Sequence, residues 1–251
     1  MSMARAAPHG LLRSALICIL TAALLLGAIA ELCAHGLGLG AAYVPKVLTV
    51  YAVGASLVLI GSPKRHPFAA FGAANQVTLV RGALVALLAG LIGAPSDSAL
   101  AALVTAVATG TAMLDGVDGW LARRTSLASA FGARFDMETD ALLIMVLAVL
   151  AWQFGKAGVW VLGSGLLRYA FIASGWALPA LRQPLPPSQR RKTLAVVQVV
   201  ALIVTVAPFV PTRLSVLVAA VALGTLMLSF LVDVVWLFRN PARSRASALA
   251  E

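Results

Sequence analysis

Negative charge is scarce in this chain: nine Asp and Glu stand against nineteen Lys and Arg in 251 residues. Charge of either sign accounts for only 11% of positions, while 61% are hydrophobic. No polar stretch is long enough to form a soluble domain. Water-soluble globular classes are therefore excluded, and apolar runs recurring along the whole length point to an all-α, polytopic membrane helix bundle. Cysteine is nearly absent as well. Cys18 and Cys33 form no CxxC pair, which excludes a disulfide framework and a thiolate zinc site, and both read as packing residues. The three histidines, His9, His35 and His66, fall in loops or termini and make no ligand cluster.

What is present is a series of eight apolar segments, at about 11–32, 42–62, 79–95, 98–121, 137–154, 157–181, 193–209 and 214–238, each near the roughly 20 residues that cross a bilayer. The first is long for the apolar core of a signal peptide and reads as a retained helix. With the N-terminus in the cytoplasm, fifteen of the nineteen Lys and Arg fall on the cytoplasmic side. Three (Lys46, Lys156 and Arg213) fall opposite, and Arg168 alone lies within a segment. This is the positive-inside pattern, and it puts both termini in the cytoplasm. It also accounts for the net charge of +10, so no nucleic-acid partner is expected. Residues 64–82, less apolar than their neighbours, read as a short amphipathic helix at the interface that feeds the third segment. Residues 181–192 form a Pro-rich basic loop.

Five of the nine acidic residues gather in "DGVDGWLARRTSLASAFGARFDMETD", residues 115–140. Asp115 and Asp118 end the fourth segment, and Asp136 and Asp140 begin the fifth. Spacings of three and four place each pair on one helix face. A tight helix–turn–helix then brings four carboxylates together at the cytoplasmic boundary. Unpaired, each would cost at least about 2.5–3.5 kcal/mol inside the bilayer, with mutual repulsion in addition. Hard divalent cations remove that cost. Oxygen ligands without His or Cys point to Mg²⁺, Mn²⁺ or Ca²⁺ and away from zinc. Mg²⁺ sites of this kind commonly complete themselves with substrate phosphates. Gly119 opens room for a ligand, Arg123 and Arg124 offer phosphate-binding forks, and Gly132 permits close approach of these two helices or a bend.

Taken together, Asp115, Asp118, Gly119, Ala122, Arg123, Gly132, Asp136 and Asp140 stand at spacings that resemble the signature of the CDP-alcohol phosphotransferases, integral membrane enzymes of phospholipid synthesis. The likeness extends over about 64–239. It implies an interfacial helix and a six-helix core, with two extra N-terminal spans in residues 1–63 and a short basic cytoplasmic tail in 240–251. By the same likeness, the four aspartates hold two Mg²⁺ or Mn²⁺ ions and Asp140 is also the general base. Gly119, Ala122 and Arg123 would then meet the CDP moiety of CDP-diacylglycerol. "NQVTLVR" (75–81) resembles the family's Asn-x-x-Thr-x-x-Arg segment, which makes Asn75 and Thr78 donor-binding residues; Asn75 also reads as the N-cap of the next helix. Ser129 falls where some members hold a hydroxyl near the phosphates. The implied reaction moves a phosphatidyl group to an alcohol and releases CMP. Its partners would be membrane lipids and a second copy of the chain, and the Ala/Arg-rich composition suits a bacterial inner membrane.

A lone charge inside a span is functional by default, so Arg168 is an acceptor-binding candidate, with Arg182, Arg190, Arg191 and Lys192 as a basic rim. An anionic acceptor such as glycerol 3-phosphate fits that charge. "RRKTLAVVQ" (190–198) resembles the Lys-Thr…Gln segment of phosphatidylglycerophosphate synthases, although Gln198 comes one residue late. The rim also follows from the positive-inside pattern alone, and Arg168 also suits a pairing with an acidic neighbour. Inositol phosphate, serine and choline remain alternative acceptors. In a different class, an ion-coupled transporter would use intramembrane carboxylates such as Asp233 as a pathway, and a catalytically silent family member would bind lipid without turnover.

Overall fold

The computed structural model describes residues 8–65, 71–125, 129–178, 181, 183, 185–186 and 188–240, with the side chains of 8–9, 61–65, 118, 120–125, 130 and 177 excepted. Among the described residues there are eight α-helices and no strands. They are α1 (Pro8–Leu37), α2 (Tyr43–Arg65), α3 (Ala73–Gly90), α4 (Ser98–Thr125), α5 (Ala130–Gln153), α6 (Gly163–Ala177), α7 (Gln189–Val206) and α8 (Thr212–Arg239), with a 3-10 turn at Val159–Leu162 before α6. The all-α polytopic reading therefore holds. Each helix matches one of the eight apolar segments, but among the described residues α1, α2, α3, α4 and α8 alone are long and apolar enough to cross a membrane. The others fall short for visible reasons. α5 carries Arg134, Asp136, Glu138 and Asp140 in its first half, α6 has 15 residues, and α7 opens on Arg190, Arg191 and Lys192.

At residues 64–82 the described helices begin and end at other places than hydropathy suggests. Lys64 and Arg65 end α2, and 73–82 form the first half of α3, which runs unbroken to Gly90. Among the described residues no separate interfacial helix intervenes; residues 66–70 lie outside them. Hydrophobicity placed the third span at 79 because Asn75, Gln76 and Thr78 dilute its start. Backbone hydrogen bonding depends little on that dilution, so the helix begins at Ala73, after Gly72. The φ of 82° at Gly72 is one that glycine adopts without strain.

The chain folds as two compact units, Met1–Val146 and Leu147–Glu251. In the first, α1 and α2 form an antiparallel hairpin packed on α3, and α3 packs on α4. The hydrophobic effect does not drive helices together inside lipid, so contact quality and buried polar bonds decide the association. Tyr51 Oη donates to the Ile19 carbonyl of α1 at 3.0 Å, and Tyr43 Oη donates to the Leu87 carbonyl of α3 at 3.3 Å. Lys46 Nζ donates to the Ile92 carbonyl at 3.0 Å, just past the α3 C-terminus, where carbonyls lack helical partners. At the other end of α3, the Phe71 N–H donates to Ser14 Oγ of α1 at 3.4 Å. Asp97 caps α4, its Oδ1 accepting the Leu100 N–H at 2.7 Å.

At Gly90, α2 packs tightly against α3. A Cβ there would lie 2.5 Å from Val47 Cγ2 and 2.8 Å from Tyr43 Cε2. Gly90→Ala is therefore expected to destabilise the protein by about 1–3 kcal/mol, the usual cost of overpacking. Thermal unfolding in detergent checks this, and adding Val47→Ala should recover part of the loss by removing the closer methyl.

In the second unit, α7 and α8 form a hairpin. Lys156 Nζ donates to the Ala207 and Val210 carbonyls of its turn, at 3.0 and 2.6 Å. Gln198 Nε2 on α7 donates to Ser164 Oγ on α6 at 2.9 Å, both side chains buried. At the opposite end of the hairpin, buried Asp233 accepts from Arg190 at 2.5 Å and from Arg191 at 3.1 Å.

Candidate active site

The first unit brings three of the four signature aspartates together. Asp115 lies in the second half of α4, and Asp136 and Asp140 lie one turn apart in the first half of α5. Carboxylate oxygens of the three all lie within 4.8 Å of one another, and each residue is half-buried. Asp118 shares α4 with Asp115, and its side chain lies outside the described residues, as do those of Ala122 and Arg123. Gly119 is half-buried on the same helix.

At the centre sits a residue that sequence reasoning did not select. Arg81 of α3 is 1% exposed. Its Nη2 lies 2.8 Å from Asp115 Oδ1 and also donates to Asp140 Oδ1, while Nη1 donates to Asp136 Oδ1. One guanidinium thus ties α3 to both aspartate-bearing helices. The available signal was its spacing. Asn75, Thr78 and Arg81 recur every three residues, so they share a stripe of α3, and all three are buried.

Asn75 and Thr78 complete that stripe. Thr78 Oγ1 donates to the Ala74 carbonyl at 3.1 Å. Asn75 is not the N-cap of α3; it is the third helical residue, and its Nδ2 donates back to the Phe71 carbonyl at 2.5 Å. Its Oδ1 faces Gly132 of α5, where a Cβ would lie only 2.7 Å away. The close neighbour of Gly132 is thus α3, not the other aspartate-bearing helix for which the room was expected. Ser129 caps α5, its Oγ accepting the Gly132 N–H at 3.0 Å.

Three half-buried carboxylates face one cation, so the site offers more oxygen donors than a single guanidinium charge balances once they ionise. Hard oxygen donors at this separation, with neither His nor Cys among them, fit a divalent cation of the Mg²⁺ or Mn²⁺ type. The acceptor candidates belong to the second unit. Arg190 and Arg191 are tied to Asp233, Arg190 also donates to the Ser229 carbonyl at 2.9 Å, and Arg191 donates to the Pro186 carbonyl. Arg168 is half-buried on α6, Lys192 is exposed, and Arg182 lies outside the described residues.

Apolar helices long enough to span a bilayer, with a carboxylate cluster from α4 and α5 gathered around Arg81 of α3, define a membrane protein whose cluster could hold a divalent metal. The family model described as CDP-alcohol phosphatidyltransferase matches residues 71–238, and the chain belongs to that family. It is a membrane transferase of phospholipid synthesis, in a family that acts on CDP-alcohols with a divalent metal. No curated protein and no solved structure matches the chain.

Proposed function

We propose that the protein transfers a phosphatidyl group from CDP-diacylglycerol to an alcohol, releasing CMP. The observation that carries this reading is the convergence of Asp115, Asp136 and Asp140 within a segment matched by the family. Asp115, Asp118, Asp136 and Asp140 would hold two Mg²⁺ or Mn²⁺ ions. When bound, the ions supply charge neutralisation at the pyrophosphate and the leaving CMP. Asn75, Thr78, Gly119, Ala122, Arg123 and Ser129 bind and orient the CDP moiety. The acceptor oxygen attacks the phosphorus that bears diacylglycerol. The bond from that phosphorus to the bridging pyrophosphate oxygen breaks, CMP leaves with the electron pair, and the hydroxyl proton passes to Asp140.

In this reading residues 64–239 are the catalytic core, residues 1–63 an added helix pair and 240–251 a basic tail, and the second subunit of a homodimer is a further copy of the chain. The site and both termini face the cytoplasm of a bacterial inner membrane, where acyl tails stay in lipid while the headgroup meets water. Arg168 is the acceptor contact and Arg182, Arg190, Arg191 and Lys192 are its basic rim, which suits glycerol 3-phosphate or another phosphorylated polyol. Purified protein given CDP-diacylglycerol, Mg²⁺ or Mn²⁺ and a panel of alcohols tests the proposal through CMP release. Turnover with glycerol 3-phosphate but not serine or choline is expected; turnover with no alcohol would end it. Arg168→Ala is expected to raise the acceptor KM about tenfold with the donor KM unchanged, as loss of one charged contact does. An unmoved acceptor KM removes Arg168 from the pocket.

A further inference from the structure

The guanidinium of Arg81 occupies the place a cation would take among three carboxylates, and that placement has consequences for how the ion enters. The three Oδ1 atoms it engages come from two helices, α4 and α5, while Arg81 itself comes from a third. The group is 1% exposed, so water does not substitute for its hydrogen bonds, while the carboxylates it engages stay 29–38% exposed on their outer side. Without a cation at this position, three carboxylates within 4.8 Å would repel one another in a half-buried setting. With Arg81 there, they stay gathered, but the oxygens that face inward already carry N–H donors. A divalent ion drawing on the same oxygens meets both a positive charge and occupied ligands.

We propose that Arg81 is the resident counter-cation of the aspartate cluster. It holds Asp115, Asp136 and Asp140 in position before metal arrives, and the arriving divalent ion displaces it from at least one of them. Arg81 is thus a positioning residue that sets how much metal the enzyme needs. It makes the protein stable when metal-free at the expense of metal affinity. This rests on the metal-site reading above and extends it to a residue on a helix that contributes no aspartate.

The test uses the full chain in detergent, freed of metal by chelation, with Mn²⁺ alone as the probe. Mn²⁺ binding is followed by the loss of its free-ion paramagnetic resonance signal, and thermal unfolding is recorded with and without Mn²⁺. Arg81→Gln removes the charge and is expected to lower the Mn²⁺ Kd at least about tenfold, since a unit charge a few ångströms away in a protein interior opposes a divalent ion strongly. The same variant should unfold at lower temperature than the parent when metal-free and gain more from Mn²⁺. Arg81→Lys keeps the charge but has no two-armed fork to span the carboxylates, and its Kd should fall only about threefold. If Arg81→Gln does not fold, the Arg81→Lys titration decides. A Kd equal to or weaker than the parent's, in whichever variant folds, overturns the inference. So does a metal-free Arg81→Gln protein as stable as the parent. If the parent itself binds no Mn²⁺, it is the metal-site reading that fails, and that outcome is told apart by the parent titration alone. A role confined to packing would shift unfolding temperatures and leave the Mn²⁺ Kd where it was.

Discussion

Asparagine at position 136 is expected to cut CMP release by about 10³-fold or more, the scale seen when a group that organises transition-state charge is lost. Asp136→Asn is nearly isosteric, and its amide oxygen still accepts the Arg81 N–H that Oδ1 accepts now. The helix contact therefore survives while one negative charge disappears. Folding and catalysis are separated by this choice, so a well-folded, inactive protein is the anticipated result. The readout is CMP formation from CDP-diacylglycerol over a range of Mg²⁺ and Mn²⁺ concentrations, alongside thermal unfolding. Asp115→Asn should behave alike. Asp140→Asn should keep more nucleotide binding than turnover, because it loses the proton acceptor as well as a ligand. Full activity in any of these variants would remove that residue from its assigned role.

The second large effect is steric. Gly132→Ala places a Cβ 2.7 Å from Asn75 Oδ1 and 3.3 Å from Ser129 Oγ. Asn75 has little room to yield, since it is buried and its amide is bonded to Phe71 at 2.5 Å. The start of α5 must then move away from α3, at a cost of about 1–3 kcal/mol. Movement there also loosens the grip of Arg81 on Asp136 and Asp140, which lie one and two turns further along α5. A lower unfolding temperature together with a donor KM raised about tenfold is expected, because a small misplacement at a catalytic cluster is amplified in rate and binding. An unchanged KM would mean that α3 and α5 need no such close approach.

How far the site could be read in advance differs residue by residue. The gathering of Asp115, Asp136 and Asp140 was legible because three- and four-residue spacings on apolar helices leave few arrangements, and the likeness to a known signature rested on the same positions. Gly132 was legible as a place where a helix must come close, but the neighbour expected was the other aspartate-bearing helix, and the actual one is Asn75 of α3, 57 positions earlier. Arg81 escaped because a cation near one end of an apolar segment also satisfies the positive-inside pattern, and periodicity along one helix says nothing about which carboxylates another brings to it. Asp233 illustrates the same gap. Read alone it suited an ion pathway; in the fold it is the partner of Arg190 and Arg191, a pairing across more than 40 residues. The helices themselves followed from hydropathy, but the start of α3 did not, because polar residues lower hydropathy without weakening a helix ladder.

The α1–α2 hairpin precedes the matched segment, yet it meets α3 at both of its ends. A protein trimmed to begin at Phe71 would lose the phenol that satisfies Leu87, the ammonium at Ile92 and the hydroxyl facing its own first amide. It would also expose the Gly90 surface, shaped to receive Tyr43 and Val47, to lipid chains that fit it poorly. Anyone seeking a minimal version for structural or assay work is better served by keeping residues 8–65 and shortening elsewhere.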